Sequence, residues 1–272
     1  MSRVALITGG TSGIGRAICN VLHSKGVKVY GTGRRANNGE VLDGYRLVKC
    51  DVTKDASVKD AVDYVLEQEG KIDILVNNAG IGIAGAIEDS EIREILNVFN
   101  TNVAGVIRMC KAVLPVMRDK GSGYIINISS VGGLMGLPYR GIYSGSKSSV
   151  ELISEALSME VMKFGIKVVL VEPGDFKTSI NENRRVSDKA MSGVYSEEFE
   201  AIHTIINKEV SEGNDPAKIG KLVWKIVNAR NPRVRYNTGD FTSKLALVVK
   251  RVIPGRWFER MMMSHYNMKQ KR

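Results

Sequence analysis

Tyr143 and Lys147 are the two residues whose types and spacing could perform chemistry. They lie four positions apart in Tyr143-Ser-Gly-Ser-Lys147, which puts both side chains on one face of a helix. A tyrosine with a pKa of about 10 exchanges protons poorly at neutral pH, and a neighbouring ammonium group lowers that pKa by stabilising the phenolate. The pair could therefore exchange a proton with a substrate oxygen, although ordinary exposed Tyr–Lys contacts have the same spacing.

A second candidate is the pair of serines in Ile126-Asn-Ile-Ser129-Ser130, at the end of an apolar segment. Residues 124–128 are expected to form a strand, and a doubly wound sheet binds its ligands beyond the carboxyl ends of its strands. A serine hydroxyl placed there can hydrogen-bond a substrate oxygen. A serine at a strand end can equally well serve only the turn that follows.

The glycines after the first apolar segment indicate a possible phosphate site. Residues Val4–Ile7 are apolar, and Gly9, Gly13 and Gly15 follow before apolar residues recur at helical spacing. A strand, a tight turn and a helix in this order direct backbone N–H groups from the positive end of a helix dipole, which suits a pyrophosphate. The spacing Gly-x3-Gly-x-Gly differs from the common dinucleotide fingerprint, and by itself it is compatible with a simple turn.

The elements that must position these residues alternate along the chain. Short apolar segments predict strands at residues 4–7, 27–30, 47–50, 72–76, 124–128, 168–171 and 233–236. Helical spacing of apolar residues lies between them, with the longest expected helices at 91–117 and 142–164. This alternation predicts an α/β fold, a single-domain doubly wound (Rossmann) parallel sheet of about seven strands with helices on both faces.

Length and composition agree with one domain covering residues 1–272. Hydrophobic residues make up 43% of the chain, and neither a linker nor an internal repeat divides it. No apolar run approaches the roughly 18 residues of a spanning helix, and no signal-peptide pattern is present. Three scattered cysteines without ligand spacing indicate reduced thiols, a cytoplasmic protein and no metal site.

Positive charge is concentrated near the end of the chain. The net charge is +10, yet residues 216–272 contain 14 lysines and arginines against two acidic residues, while residues 1–215 contain 25 against 27. This asymmetry indicates a local interaction surface rather than a nucleic-acid-binding protein, or simply a solvated basic face. The predicted domain thus ends in a basic C-terminal extension at 237–272. It also includes a polar, less periodic substrate-loop region at 175–215.

Taken together, the motifs resemble those of the short-chain dehydrogenase/reductase family over about residues 3–178. Thr-Gly-x3-Gly-x-Gly matches Thr8–Gly15, Asn-Asn-Ala-Gly matches residues 77–80, and Pro-Gly-x3-Thr matches residues 173–178. Tyr-x3-Lys matches Tyr143 and Lys147. The family's serine, about a dozen residues before the tyrosine, selects Ser130, and its asparagine in Asn-x-x-Gly selects Asn102. Each motif alone is common, but six in the family's order are specific.

The resemblance implies four catalytic residues. Tyr143 would be the general acid/base, Lys147 would lower its pKa and hold the nicotinamide ribose, Ser130 would orient the carbonyl, and Asn102 would hold a water that connects Lys147 to solvent. Asp51 and Val52 would lie at the adenine. The cofactor-binding residues would be Gly9, Thr11, Ser12, Gly13, Ile14, Gly15, Asp51, Val52, Asn78, Ala79, Gly80, Tyr143, Lys147, Pro173, Gly174 and Thr178.

The end of the second strand predicts the choice of cofactor. An NAD-selective site has a carboxylate there for the ribose 2′-hydroxyl, whereas this chain has Gly33 followed by Arg34 and Arg35. Arginine can bind a 2′-phosphate with two hydrogen bonds. We therefore expect NADP(H), bound in part by Arg34 and Arg35, although both could be solvated loop residues.

These features predict an oxidoreductase that transfers a hydride between NADP(H) and a carbonyl or secondary alcohol. A ketone reductase acting on an apolar, steroid-, retinoid- or acyl-like substrate is favoured, because use of NADP(H) favours the reductive direction. The apolar residues of the substrate-loop region are consistent with an apolar pocket, although they could equally pack a lid; they are Phe176, Ile180, Val186, Met191 and Val194. The alternatives are an NAD-dependent alcohol dehydrogenase, a sugar-nucleotide epimerase, and a cofactor-binding sensor or scaffold without turnover. The resemblance also implies a homodimer or homotetramer.

Three roles are open for the last residues of the chain. Residues 245–253 are largely apolar, and Trp257, Phe258, Met261, Met262 and Tyr266 fall near one helical face with basic residues elsewhere. The segment could cover the substrate pocket, contact another subunit, or bind peripherally to an anionic membrane surface.

Overall fold

A mainly parallel sheet carries the fold. The computed structural model describes residues 2–177 and 184–268. Within them, eight strands form the main sheet: β1 Val4–Ile7, β2 Lys28–Gly33, β3 Val41–Leu42, β4 Tyr45–Lys49, β5 Ile74–Asn77, β7 Gly123–Ile128, β8 Ile166–Glu172 and β10 Arg235–Asn237. Their order across the sheet is β10–β8–β7–β5–β1–β2–β4–β3. Two short strands, β6 Ile83–Ala84 and β9 Arg185–Val186, pair separately in parallel.

The doubly wound α/β architecture is confirmed, and its main sheet has one strand more than predicted. All seven predicted strands are present, with their ends shifted by a few residues. The additional strand β3 turns back antiparallel onto β4. Between the two strands, Asp43 and Gly44 have φ angles of 50° and 91°, the left-handed geometry of a two-residue hairpin turn that Asp-Gly favours.

Helices cover both faces of the sheet. They comprise Gly13–Ser24, Asp55–Glu69, Ile92–Phe99, Gly105–Lys120, Gly141–Val161, Ser196–Ser211, Ala217–Asn228, Phe241–Val252 and Gly255–His265. On one face, helices 55–69, 105–120 and 141–161 form a buried apolar layer with the strands. On the other face, helices 13–24 and 217–228 form a second buried layer. The sheet is therefore fully covered, which explains its almost continuously apolar strands.

The long helix predicted at 91–117 contains a π-helical segment. Residues Ile92–Phe99 are α-helical, Asn100–Ala104 form a π-helix, and the α-helix resumes at Gly105. A π-helix widens the helix by one residue in a turn and occurs frequently at functional sites. Asn102 lies in the middle of this segment.

The substrate-loop region contains a helix that the polar composition concealed. Residues Ser196–Ser211 are helical, and Phe199, Ile202, Ile206 and Val210 are its buried residues. The helix start predicted at Asp215-Pro216 is confirmed, because the Asp215 carboxylate accepts a 2.9 Å hydrogen bond from the backbone N–H of Ala217.

The C-terminal segment folds back onto this part of the molecule. Phe258, Met262 and Tyr266 are buried in an apolar cluster with Val131, Met135, Ile202 and Ile206. This packing corresponds to the first of the three possibilities, a segment that covers the substrate end of the site. No helix in residues 2–177 and 184–268 is long and apolar enough to cross a membrane.

Candidate active site

The site lies where the strand order reverses. From β1 the chain proceeds to β2 on one side, and after β4 it crosses to β5 on the other side. This reversal opens a crevice at the carboxyl ends of β1 and β5, the place where such sheets bind ligands. A cleft of about 1340 Å³ occupies it and continues to the C-terminal helices.

The glycine-rich turn leaves the cofactor end of this cleft free of side chains. Gly9 and Gly13 have φ angles of 66° and 52°, which favour glycine. A Cβ atom on Gly15 would lie only 2.1 Å from the carbonyl oxygen of Gly9. The turn can therefore pass close to the N-terminus of helix Gly13–Ser24, where backbone N–H groups and the helix dipole suit phosphates. The site thus fits a dinucleotide.

Hydrogen bonds join the two predicted cofactor motifs. The Thr8 hydroxyl accepts hydrogen bonds of 2.9 and 3.0 Å from the backbone N–H groups of Asn78 and Ala79. In return, the Asn78 amide donates to the carbonyl oxygens of Thr8 and Gly9, at 2.9 and 3.3 Å. These bonds fix the turn after β1 against the turn after β5, and both line the cleft.

Most of the predicted site residues meet at the cleft. Those that line it are Gly9, Thr11, Ser12, Gly13, Ile14, Arg34, Asp51, Val52, Asn78, Ala79, Gly80, Ser130, Tyr143, Lys147, Pro173 and Gly174. Gly15, Arg35 and Asn102 do not line it. Thr178 and Ile180 lie outside the described residues.

Arg34 and Arg35 differ in position. Arg34 lines the cleft, and its charge acts on Asp51, which lines the same end. Burial raises the pKa of Asp51, but hydrogen bonds from Thr53 and the charges of Lys54 and Arg34 hold it below its usual range. Arg35 is exposed and lies away from the cleft lining, so the expectation that both arginines contact the cofactor is not supported for Arg35.

Ser130 and Tyr143 are brought together from two elements. Ser130 precedes the short 3₁₀ turn Val131–Gly133, and its hydroxyl accepts a 3.0 Å hydrogen bond from the N–H of Gly132. A hydrogen bond joins Ser130 to Tyr143, the third residue of helix Gly141–Val161. The pKa of Tyr143 is raised by burial, while Ser130 and the positive charges of Arg140 and Arg184 oppose the rise.

Lys147 lies one helical turn from Tyr143 and is buried. Its ammonium group donates a 2.8 Å hydrogen bond to the carbonyl oxygen of Ile128, at the end of β7. Burial lowers its pKa to about 8. The lowering of the tyrosine pKa by this lysine together with a bound nicotinamide stays a prediction. Burial, which raises the pKa of the tyrosine, outweighs the positive charges of Arg140 and Arg184, and the charge of Asp175 adds to the rise.

Asn102 acts from behind the cleft wall. It is 1% exposed, and its amide oxygen accepts a 2.8 Å hydrogen bond from the backbone N–H of Ile81. Its amide nitrogen donates to the carbonyl oxygen of Ile81 and to the Ser146 hydroxyl, both at 3.0 Å. The side chain therefore fixes the loop after the Asn-Asn-Ala-Gly motif against helix Gly141–Val161, which carries Tyr143 and Lys147.

Three charged residues beside Tyr143 were not predicted. Arg140 hydrogen-bonds the Tyr266 hydroxyl, and its Nε atom is buried without a hydrogen-bond partner among the described residues. Arg184 donates a 3.1 Å hydrogen bond to Asn207, and burial and the nearby Arg140 lower its pKa. Burial raises the pKa of Asp175, which directly follows the Pro-Gly motif. For Arg140 the sequence contains a signal, since this residue lies only three positions before Tyr143.

The substrate end of the cleft has an apolar wall. Met135, Leu137, Ala246, Val249 and Met262 are among the residues that form it. Of the apolar residues predicted from the substrate-loop region, Phe176 lines the cleft. Val186 packs instead against Ala84, Ala190 and Phe199, and Met191 and Val194 are 56% and 91% exposed. These last two residues therefore belong to the outer surface.

Comparisons with known proteins agree with this geometry. The model of the family described as short chain dehydrogenase matches residues 3–189. A 3-ketodihydrosphingosine reductase from Bacteroides thetaiotaomicron is 44% identical over 253 residues, which cover 93% of each chain. The crystal structure of a short-chain dehydrogenase from Streptomyces avermitilis is 31% identical, with a TM-score of 0.81 over 98% of this chain and 97% of that one.

A second solved structure carries a cofactor. The 3-ketoacyl-(acyl-carrier-protein) reductase from Brucella melitensis, complexed with NADH, is 26% identical. Its TM-score is 0.74 over 89% of this chain and 98% of that one. Within the described ranges of this chain, no group of three or more His, Cys, Asp or Glu side chains is placed to hold a metal ion.

Proposed function

The chain belongs to the short-chain dehydrogenase family, and on that basis we propose that it is an NADP(H)-dependent reductase of a long-chain ketone. Membership confirms the resemblance inferred from the motifs, and with it an oxidoreductase that acts on CH–OH or C=O groups. The observation that carries the proposal is the convergence of Ser130, Tyr143 and Lys147 in one cleft. Its one end suits a dinucleotide and its other end has an apolar wall.

In this mechanism the cofactor, when bound, supplies the hydride that reduces the carbonyl carbon. Tyr143 donates its hydroxyl proton to the carbonyl oxygen. The Ser130 hydroxyl accepts from the N–H of Gly132 and hydrogen-bonds Tyr143, and with a substrate bound its own proton would turn to the same carbonyl oxygen. Lys147 in its protonated form favours the phenolate that remains. Asn102 is a positioning residue. We also propose that it holds a water that links Lys147 to solvent.

The charges around Tyr143 and Lys147 bear on how the tyrosine regains its hydroxyl proton after each turnover. Burial alone would make the phenolate costly, and Arg140 and Arg184 offset part of this effect. With a pKa of about 8, Lys147 is mainly protonated at pH 7 and loses its proton as the pH rises through about 8. A bound anionic cofactor would favour its protonated form. Proton return to the tyrosine is therefore coupled to cofactor binding.

Arg34 and Gly33 support NADP(H) over NAD(H). Arg34 lines the cleft beside Asp51, where a guanidinium group can bind a 2′-phosphate. At Gly33 a Cβ atom would lie 2.6 Å from Cγ2 of Thr11. A carboxylate at this position, the usual feature of NAD selectivity, would displace the threonine. The alternative is an NAD-dependent enzyme, as the NADH complex of the Brucella relative illustrates.

The substrate that we propose is 3-ketodihydrosphingosine or a similar long-chain 2-amino ketone. The relative from Bacteroides carries this substrate in its name and covers nearly the whole chain. The apolar wall at Met135, Leu137, Val249 and Met262 provides a surface for an alkyl chain. Asp175, a partly buried carboxylate in the lining of the same cleft, can pair with the ammonium group of such a substrate.

Steady-state kinetics test this proposal. We expect loss of NADPH absorbance with 3-ketodihydrosphingosine, and slower turnover of a long-chain ketone without the amino group. Tyr143→Phe should reduce kcat at least about 100-fold while the Kd for NADPH changes little, because only the proton donor is removed. Cofactor binding without turnover of any ketone would favour the sensor or scaffold alternative. A Tyr143→Phe variant that retained a tenth of the activity would contradict the assigned role.

We also propose that the chain forms a homodimer or homotetramer and is located in the cytoplasm. Leu152 and Met159 lie two turns apart on helix Gly141–Val161 and are 65% and 70% exposed. This apolar strip is a suitable contact for a homodimer or homotetramer. Cys19, Cys50 and Cys110 are buried free thiols, which supports a reducing, cytoplasmic compartment.

A further inference from the structure

Helix Phe241–Val252 has an apolar strip on its solvent side. Phe241, Leu245, Val248 and Val252 are 80%, 48%, 59% and 75% exposed. At 3.6 residues per turn, these four residues lie within an arc of about 60°. The opposite side of this helix packs on the rest of the molecule. Its residues Ala246, Leu247 and Val249 contact the apolar cluster that contains Phe258, Met262 and Tyr266. The exposed strip is therefore not needed for the internal packing of the helix.

The following helix, Gly255–His265, continues the pattern. Trp257 and Met261 are 65% and 36% exposed and lie one turn apart, while Phe258 and Met262 on the other side are buried. Leu245 and Met261 also belong to the lining of the cleft. The two exposed strips thus reach the mouth of the cleft. We call these six side chains, Phe241, Leu245, Val248, Val252, Trp257 and Met261, the C-terminal outer face.

Basic residues border this face. Lys244 and Arg251 are exposed and lie two turns apart along one edge of the first strip. Arg256 and Arg260 are exposed and lie one turn apart beside Trp257 and Met261. In residues 241–268, Glu259 is the one acidic residue of the sequence, against five lysines and arginines. The face therefore combines apolar side chains with almost uniformly positive charge.

We propose that the C-terminal outer face binds to the surface of an anionic lipid bilayer. Aromatic and aliphatic side chains suit the boundary between headgroups and acyl chains, and long basic side chains reach the phosphate groups from its edge. Each cation near anionic lipid strengthens the attachment. A second copy of this chain is a poorer occupant, because a two-fold contact through this face would place the basic borders of both copies together.

This orientation places the mouth of the cleft at the membrane. Leu245 and Met261 would meet the lipid on one side and the cleft on the other. A lipophilic substrate could then enter from the bilayer without crossing water, where its alkyl chain is poorly accommodated. The proposal goes beyond the reductase reaction and requires neither a particular cofactor nor a particular ketone.

Flotation of the full-length chain with vesicles tests the proposal. We expect binding to vesicles that contain phosphatidylglycerol, weak binding to pure phosphatidylcholine, and a decrease with added salt. Val252→Glu should abolish flotation, whereas the matched control Val194→Glu, at a residue 91% exposed on another surface, should not. Lys244→Gln with Arg251→Gln should weaken binding about 30-fold. Thermal unfolding should show that these exposed substitutions leave the fold intact.

A second measurement follows the face itself. In a Trp224→Phe variant Trp257 is the remaining tryptophan of the sequence, and its fluorescence should shift to shorter wavelength with anionic vesicles only. An unshifted spectrum, or equal flotation of Val252→Glu and Val194→Glu, would overturn the proposal. A lower molar mass of Val252→Glu in light scattering would assign the face to a subunit contact instead. Turnover of a water-soluble ketone, measured separately, tests the proposed reaction without the membrane.

Discussion

We expect Lys147 to make the cofactor-free chain more stable as the pH rises from about 8 to 10.5. The residue is 7% exposed, and burial lowers its pKa from 10.5 to about 8. Below pH 8 the lysine is charged in both states, so the folded chain contains a destabilising buried ammonium group. Between the two pKa values, the folded lysine has lost its proton and the unfolded one keeps it, so the free energy of unfolding increases with pH. A difference of about 2.5 units corresponds to about 3 kcal/mol.

Substitution of the lysine isolates this effect from other titrating groups. The free energy of urea unfolding is measured for the wild type and Lys147→Met at about pH 7 and pH 10.5, and the difference between the two proteins should shift by about 3 kcal/mol in favour of the wild type at high pH. Lys111→Met, at an exposed position of helix Gly105–Lys120, should show no such shift. Excess NADPH should reduce the effect, because an anionic ligand favours the charged lysine. A difference that stayed constant within about 0.5 kcal/mol would refute the reasoning.

Three further outcomes follow from the structure. Arg34→Gln should lower the ratio of kcat/KM for NADPH to that for NADH by roughly tenfold, while Arg35→Gln leaves it unchanged; an equal effect of both would remove Arg34 from the cofactor site. Arg235→Ala should reduce the free energy of urea unfolding by roughly 3–5 kcal/mol, because two buried glutamates lose their partner; a loss below 1 kcal/mol would contradict this. Gly15→Ala should raise the Kd for NADPH in calorimetry, since its Cβ would lie 2.1 Å from a backbone oxygen, whereas Gly136→Ala meets no atom and should bind as the wild type does.

The sequence predicted the parts of the site that depend on local pattern. Strands β1, β5 and β7 follow from apolar segments, and the residues directly after them must meet at one edge of a parallel sheet. This is why the pattern predicts Gly9, Asn78 and Ser130 at one edge of the sheet, and all three line the cleft. The same reasoning holds for Tyr143 and Lys147, since one helix suffices to put both on one face.

Two local features were present in the sequence but were not recognised. Asp43-Gly44 lies between apolar residues and is a favoured hairpin pair, so strand β3 was predictable. Phe199, Ile202, Ile206 and Val210 have the spacing of one helical face, although charged residues between them hide the pattern. The π-helix at Asn100–Ala104 differs from these cases. It depends on how Asn102 bonds Ile81 and Ser146, and such distant partners leave no periodic signal.

The pKa of Tyr143 could not be predicted from the sequence either, because it also depends on groups that are distant along the chain. The spacing to Lys147 predicted a lowered pKa, but the balance depends on how deeply the fold buries the hydroxyl and on which charges face it. Arg184 and Asp175 come from segments after β8, far along the chain, and they act on the tyrosine with opposite signs. Burial thus raises the pKa of Tyr143, and two arginines that line the same cleft, Arg140 and Arg184, oppose the rise. Binding of a charged substrate at Asp175 would then change the acidity of the group that protonates it.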